Sequence, residues 1–134
     1  MEVEAKFGVP DHSTFEQLLT VDYLAGLAAS TAQVRTVSDL YLDTADLAFL
    51  QRGFACRVRH LGNRSLVTLK GLARAQGGLH SRQELEISVE PGSGTRVADW
   101  PPGRARDLAD EIAGGQPLQV LFVVSQERHV RLLR

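Results

Sequence analysis

Apolar and polar residues alternate with a period of two in several stretches of this chain, and that rhythm predicts strands. Over residues 2 to 8, Val3, Ala5 and Phe7 alternate with Glu2, Glu4 and Lys6. Over 54–61, Cys56, Val58 and His60 alternate with Arg57 and Arg59. Over 64–71, Val67 and Leu69 oppose Thr68 and Lys70. Over 81–90, Gln83, Leu85, Ile87 and Val89 oppose Arg82, Glu84, Glu86 and Ser88. Gly62-Asn63 separates two of these runs and predicts a hairpin turn. The stretch 33–44 is rich in β-branched and aromatic residues and also predicts a strand. Residues 117–134 predict a last strand or two.

Helical spacing appears between these runs. Ser13 and Glu16 have the spacing of a capping box, which predicts a helix from about Thr14 to about Leu19. A second helical stretch is predicted over roughly 21–29. Residues 45–53 carry apolar groups at helical spacing and stop at Gly53, with Asp43-Thr44 predicted to cap a helix beginning at Ala45. Residues 103–115 predict a helix that ends at Gly114-Gly115. The segment 73–80 reads as a loop. The Pro- and Gly-rich segment 91–103 reads as a connection anchored by Trp100. The order β, α, several β, α, β predicts an α+β domain with a mainly antiparallel sheet.

Composition narrows the class. A length of 134 residues suits one domain, and 43% hydrophobic content suits a packed core. A net charge of −1, from 15 basic and 16 acidic residues, gives no global field for nucleic acid. Any anion site must therefore come from local clustering. No apolar run reaches the ~18 residues of a membrane span, and the N-terminus is acidic, so a cytoplasmic protein without membrane association is expected. Cys56 is the only cysteine, which excludes an intrachain disulfide. It alternates onto the apolar face and reads as a buried thiol. The histidines lack metal spacing. Arg131 and Arg134 read as solvated.

The informative feature is the polar face of the strands. Glu2, Glu4, Lys6, Arg57, Arg59, Lys70, Arg82, Glu84 and Glu86 all occupy it. Taken one strand at a time, a wet face with weak cross-strand ion pairs explains such residues. Repeated Arg and Glu pairs across four strands, opposite an apolar face that helices can cover, point instead to a barrel with a polar lumen. Arginine forks and lysine suit phosphate oxygens. Carboxylates two residues apart supply hard oxygen ligands for Mg²⁺ or Mn²⁺.

These residues resemble the CYTH superfamily, the triphosphate tunnel metalloenzymes. The opening E-x-E-x-K of residues 2–6 is similar to its signature. "YLDTADLAFLQRGFACRVR" (41–59), "VTLKG" (67–71) and "SRQELEISV" (81–89) follow in the family's order. The resemblance implies an antiparallel β-barrel or tunnel with a charged interior and helices packed outside. It implies hydrolysis of inorganic triphosphate or another triphosphate with Mg²⁺ or Mn²⁺. Alternatives are a non-catalytic polyphosphate- or nucleotide-binding module, or an adenylate cyclase of the same superfamily. Carried over by residue, Glu2, Glu4 and Glu86 would face the metal. Lys6, Arg57, Arg59, Lys70, Arg82 and Arg128 would hold phosphate. Lys6 and Glu84 would serve the chemistry.

The pattern departs from the family in two places. Gln126-Glu127-Arg128 stands where a K-x-R pair is common, so the first basic position is lost. Family members also continue with further strands, including an acidic one, so residues 1–134 are expected to hold the N-terminal two-thirds of the fold. An incomplete barrel would expose strand edges, and a homodimer is one way to close them.

Overall fold

A computed structural model describes residues 5–72 and 83–134. The elements in order are helix α1 (His12–Thr20), strands β1 (Tyr23–Leu24), β2 (Leu27–Ala28) and β3 (Gln33–Asp43), helix α2 (Ala48–Gln51), strands β4 (Phe54–Leu61), β5 (Arg64–Gly71) and β6 (Glu84–Val89), a 3₁₀ turn (Val97–Asp99), helix α3 (Arg104–Ala113) and strand β7 (Gln119–Val130). β1 and β2 form a two-stranded hairpin, and a five-stranded sheet has the order β6-β5-β4-β3-β7. The pairings of β3 with β4, β4 with β5 and β5 with β6 are all antiparallel. The α+β class with an antiparallel sheet is as expected.

The chain divides into two compact units. One holds residues 36–126. Its core lies on one face of the sheet, where Leu42, Cys56, Val58, Val67, Leu69 and Val89 are buried against Phe49, Trp100 and α3. In α3 the buried Ala105, Ala109, Ile112 and Ala113 follow helical spacing, and the small alanines let the helix sit close to its neighbours. Gly114 ends the helix in the left-handed region at φ 59°. Phe49 and Trp100, 0% and 1% exposed, each contribute on the order of 2–3 kcal/mol by burial. Trp100 anchors the connection as expected: its indole N–H donates to the Gly94 carbonyl at 2.9 Å. Gly94 approaches Val58 so closely that a Cβ there would lie 2.7 Å from Val58 Cγ1.

The other unit holds residues 1–35 and 127–134. Here α1, the β1–β2 hairpin and the C-terminal segment meet. The Arg131 guanidinium donates to the carbonyls of Ser30 (2.7 Å) and Leu18 (2.8 Å). Ala28 and Arg134 exchange backbone hydrogen bonds of 2.8 and 2.9 Å. Arg131 is therefore a staple between these segments rather than a solvated side chain.

Four local expectations are corrected. Helix α1 begins at His12, and Asp11 is its N-cap, with Oδ1 accepting from the Thr14 N–H at 2.7 Å. Ser13 and Glu16 thus lie inside the helix, and Glu16 pairs instead with His12 at 3.0 Å. Residues 21–29 are not helical: Ala25 and Gly26 take left-handed backbone (φ 49° and 79°), which turns the chain into the β1–β2 hairpin. Helix α2 starts at Ala48 rather than Ala45. Asp43 and Thr44 nevertheless cap it, since the Asp43 carboxylate accepts from Phe49 and Leu50 N–H and Thr44 Oγ1 accepts from Ala48 N–H. Residues 5–8 form no strand, and Phe7 is 88% exposed. Alternation alone does not stabilise a strand; it needs a hydrogen-bonded neighbour, and no described strand pairs with this segment.

Candidate functional site

The sheet face opposite the core carries the charge. Strand pairing aligns Tyr41, Arg57, Thr68 and Glu86 as successive cross-strand partners on β3, β4, β5 and β6. A second row runs through Asp39, Arg59, Leu66 and Ser88. A third links Ala55, Lys70 and Glu84. The period of two that buries Cys56, Val58, Val67 and Leu69 places Arg57, Arg59, Thr68 and Lys70 together on the other side. The tight Gly62-Asn63 turn, with Gly62 at φ 60°, fixes the β4–β5 register that aligns them.

The two arginines are held differently. Arg59 forms a bidentate pair with Asp39, Nε to Oδ1 at 2.8 Å and Nη2 to Oδ2 at 2.9 Å. Asp39 is only 1% exposed. Hydrogen bonding to Asp39 raises the Arg59 pKa above its ordinary value, and the nearby Tyr41 and Glu86 add smaller contributions in the same sense. Arg57 is half-buried and makes one long hydrogen bond, Nη2 to Thr68 Oγ1 at 3.4 Å. Its Nε is buried and has no hydrogen-bond partner among the described residues.

Tyr41 carries an aromatic neighbour. Phe122 of β7 stacks on it with ring centroids 4.7 Å apart and planes inclined by 23°. Behind the sheet, Cys56 is fully buried, and burial, with a lesser push from Asp43, raises its thiol to about 12.

The structure thus brings Arg57, Arg59, Lys70, Glu84 and Glu86 onto one face. Lys6 lies in the irregular segment after the N-terminus, and Arg128 is exposed in β7. Glu2, Glu4 and Arg82 lie outside the described residues. Asp39 and Phe122 were missed by sequence reasoning. The available signal for Asp39 was its place two residues before Tyr41, in phase with the charged face of a strand that is otherwise apolar at that end.

Glu84 and Glu86 supply exposed carboxylates whose hard oxygens suit a divalent cation. Among the described residues, however, no three metal-capable groups gather, and this face alone does not complete a metal site. Among the described residues no helix is long and apolar enough to cross a membrane.

Comparison with known proteins follows the same direction. The family model for the CYTH domain matches residues 1–134. No curated protein matches. Among solved structures, an adenylyl cyclase candidate from Hippeastrum, described as revealing a dominant triphosphatase activity, superposes with a TM-score of 0.60 at 20% identity, covering 73% of this chain and 53% of that one. That likeness shows the fold. A protein from Vibrio parahaemolyticus, proposed to be an adenylate cyclase, gives a TM-score of 0.48 at 12% identity over 93% of this chain and 59% of its own. The chain therefore spans little more than half the length of these structures.

Proposed function

The chain belongs to the CYTH domain family, and from that premise we propose that its charged sheet face binds a triphosphate and supports its hydrolysis. The observation that carries this reading is Arg57. A buried guanidinium N–H without a partner costs roughly 1–3 kcal/mol, and a phosphate oxygen would satisfy it with a charge-assisted bond. Lys70, one row away on β5, offers a compact second charge. Arg59 differs. Asp39 occupies its Nε and Nη2, which fixes the plane of the guanidinium and leaves Nη1 for an anion. The site would then meet the phosphates with donors already oriented, so little reorganisation accompanies the build-up of charge in the transition state.

In the proposed reaction a water oxygen attacks the terminal phosphorus, and the bond from that phosphorus to its bridging oxygen breaks. Arg57, Arg59, Lys70, Arg82 and Arg128 hold the phosphate oxygens. Glu84 orients the water, and Lys6 neutralises charge on the phosphoryl group in transfer. Mg²⁺ or Mn²⁺ is the proposed cofactor, with Glu2, Glu4 and Glu86 as its ligands; when bound it supplies further charge neutralisation. A family relative described as a dominant triphosphatase supports this assignment over cyclisation.

The test is phosphate release from inorganic triphosphate with and without each cation, alongside product analysis with ATP. Cation-dependent phosphate release is the expected result. Thermal stabilisation by triphosphate with phosphate release at background would make the chain a binding module. Absence of both would overturn the proposal.

A further inference from the structure

The two edges of the five-stranded sheet differ in kind. β6 is six residues long and carries Glu84 and Glu86, features that keep an edge from pairing with another chain. β7 is twelve residues long, and among the described strands its one neighbour is β3. Its stretch 119–125 holds no charged residue, proline or glycine. Within it Val120, Leu121, Phe122 and Val123 are 47%, 47%, 53% and 55% exposed. Successive residues of a strand point to opposite faces, so this edge is apolar and open on both faces of the sheet. The four side chains expose on the order of 300–400 Å² of apolar surface, as much as the largest patch on an ordinary monomer.

The order of the residues says what fits this edge. Gln119-Val120-Leu121-Phe122-Val123-Val124-Ser125 runs polar, five apolar, polar, and that pattern is symmetric about Phe122. Two antiparallel edge strands of identical sheets are related by a two-fold axis perpendicular to the joined sheet. Such an axis preserves the faces, so it passes through one residue, which meets its own copy. With the axis at Phe122, Leu121 meets Val123, Val120 meets Val124 and Gln119 meets Ser125. Every apolar side chain then faces an apolar one, and the polar ends face each other. Moving the axis to Leu121 sets Gln119 against Val123, and moving it to Val123 sets Leu121 against Ser125.

We propose that the chain forms a symmetric dimer through β7, paired antiparallel with β7 of a second copy about Phe122, so that two five-stranded sheets become one of ten strands. The homodimer expected from open strand edges thus gains a location and a register. A foreign strand would not need the internal symmetry of 119–125, whereas a second copy does. The lack of charge there lets two identical surfaces approach without repulsion. Because the axis preserves the faces, Arg57, Arg59 and Lys70 of both copies lie on the same side of the joined sheet. The contact is small, below the roughly 1,200 Å² of standard interfaces, so the dimer is reversible.

The experiment is sedimentation velocity of the full chain over a range of concentrations, for the unaltered protein, Phe122→Lys and Val123→Lys, with circular dichroism to confirm folding. A monomer–dimer equilibrium is expected for the unaltered chain. Each lysine is expected to weaken association about a hundredfold or more, because it brings like charges into the junction. Cysteine cross-linking gives a second readout. Directly opposed residues of an antiparallel pair have Cα atoms about 4.5–5.5 Å apart, within reach of a disulfide. Phe122→Cys is therefore expected to form a covalent dimer on oxidation. Val120→Cys sets its two copies four residues apart, roughly 14 Å, and is expected to give none. A chain monomeric at every concentration, a dimer indifferent to both lysines, or cross-linking through Val120→Cys rather than Phe122→Cys would overturn the proposal.

Discussion

Replacing Asp39 by alanine tests the internal logic of the charged face. The carboxylate is buried, with its side chain 2% exposed, while the Arg59 side chain keeps 17% exposure. Removing one member of a buried ion pair costs on the order of 3–5 kcal/mol, because the remaining charge is stranded. Arg59 can recover some water through its exposed portion, so the lower end, about 3 kcal/mol, is expected for Asp39→Ala. Arg59→Ala removes the bidentate partner of the more deeply buried carboxylate and is also expected to destabilise the fold. Urea unfolding followed by circular dichroism, on both single variants and the double variant, gives the coupling directly. A coupling of about 2 kcal/mol or more is expected for a bidentate pair shielded from solvent. If Asp39→Ala costs less than about 1 kcal/mol and the two substitutions simply add, Asp39 does not hold Arg59.

Three further outcomes follow from other parts of the structure. Cys56, buried and raised to about 12, stays protonated at neutral pH, so Ellman's reagent is expected to label it only when the protein unfolds; rapid labelling under native conditions would contradict its burial. Gly94→Ala drives a Cβ against the stiff Val58 side chain and is expected to lower stability by about 1–3 kcal/mol in thermal or urea unfolding; a neutral effect would mean the sheet face yields there. The Thr14 backbone N–H holds the Asp11 carboxyl below the usual carboxylate range. Its contribution to α1 is therefore complete above the ordinary carboxylate pKa and lost as pH falls through the depressed folded value. Asp11→Asn is expected to flatten the helical circular dichroism signal against pH below the ordinary carboxylate pKa, and an unchanged acid limb would argue against the cap.

The strands were legible where pattern and turn agreed. β4 and β5 fall at 54–61 and 64–71 because alternation set the faces and Gly62 set the register. Residues 21–29 were misread because helical spacing of apolar groups says nothing about backbone hand, and the left-handed Ala25-Gly26 pair decides the outcome. Residues 5–8 of the expected first strand are irregular for the opposite reason: the pattern is strong, but sheets are stabilised by partners that one segment does not encode. At the site, the basic residues of the central strands were legible because Arg and Lys on one phase of a strand stand out. The division of labour between Arg57 and Arg59 was not. It depends on Asp39, which comes from a strand 20 residues away in sequence and becomes a partner only through sheet register. Phe122 lies in a run of apolar residues, and its stack on Tyr41 arises only from the pairing of β3 with β7.

The most direct measurement is calorimetric titration of tripolyphosphate into the protein and into Arg57→Ala. Measurable binding that weakens about tenfold or more in the variant is expected, since one charge-assisted contact in a partly buried site is worth about 1.5–3 kcal/mol. No heat of binding with the unaltered protein, or equal affinity for both proteins, would contradict the assignment of this sheet face to triphosphate.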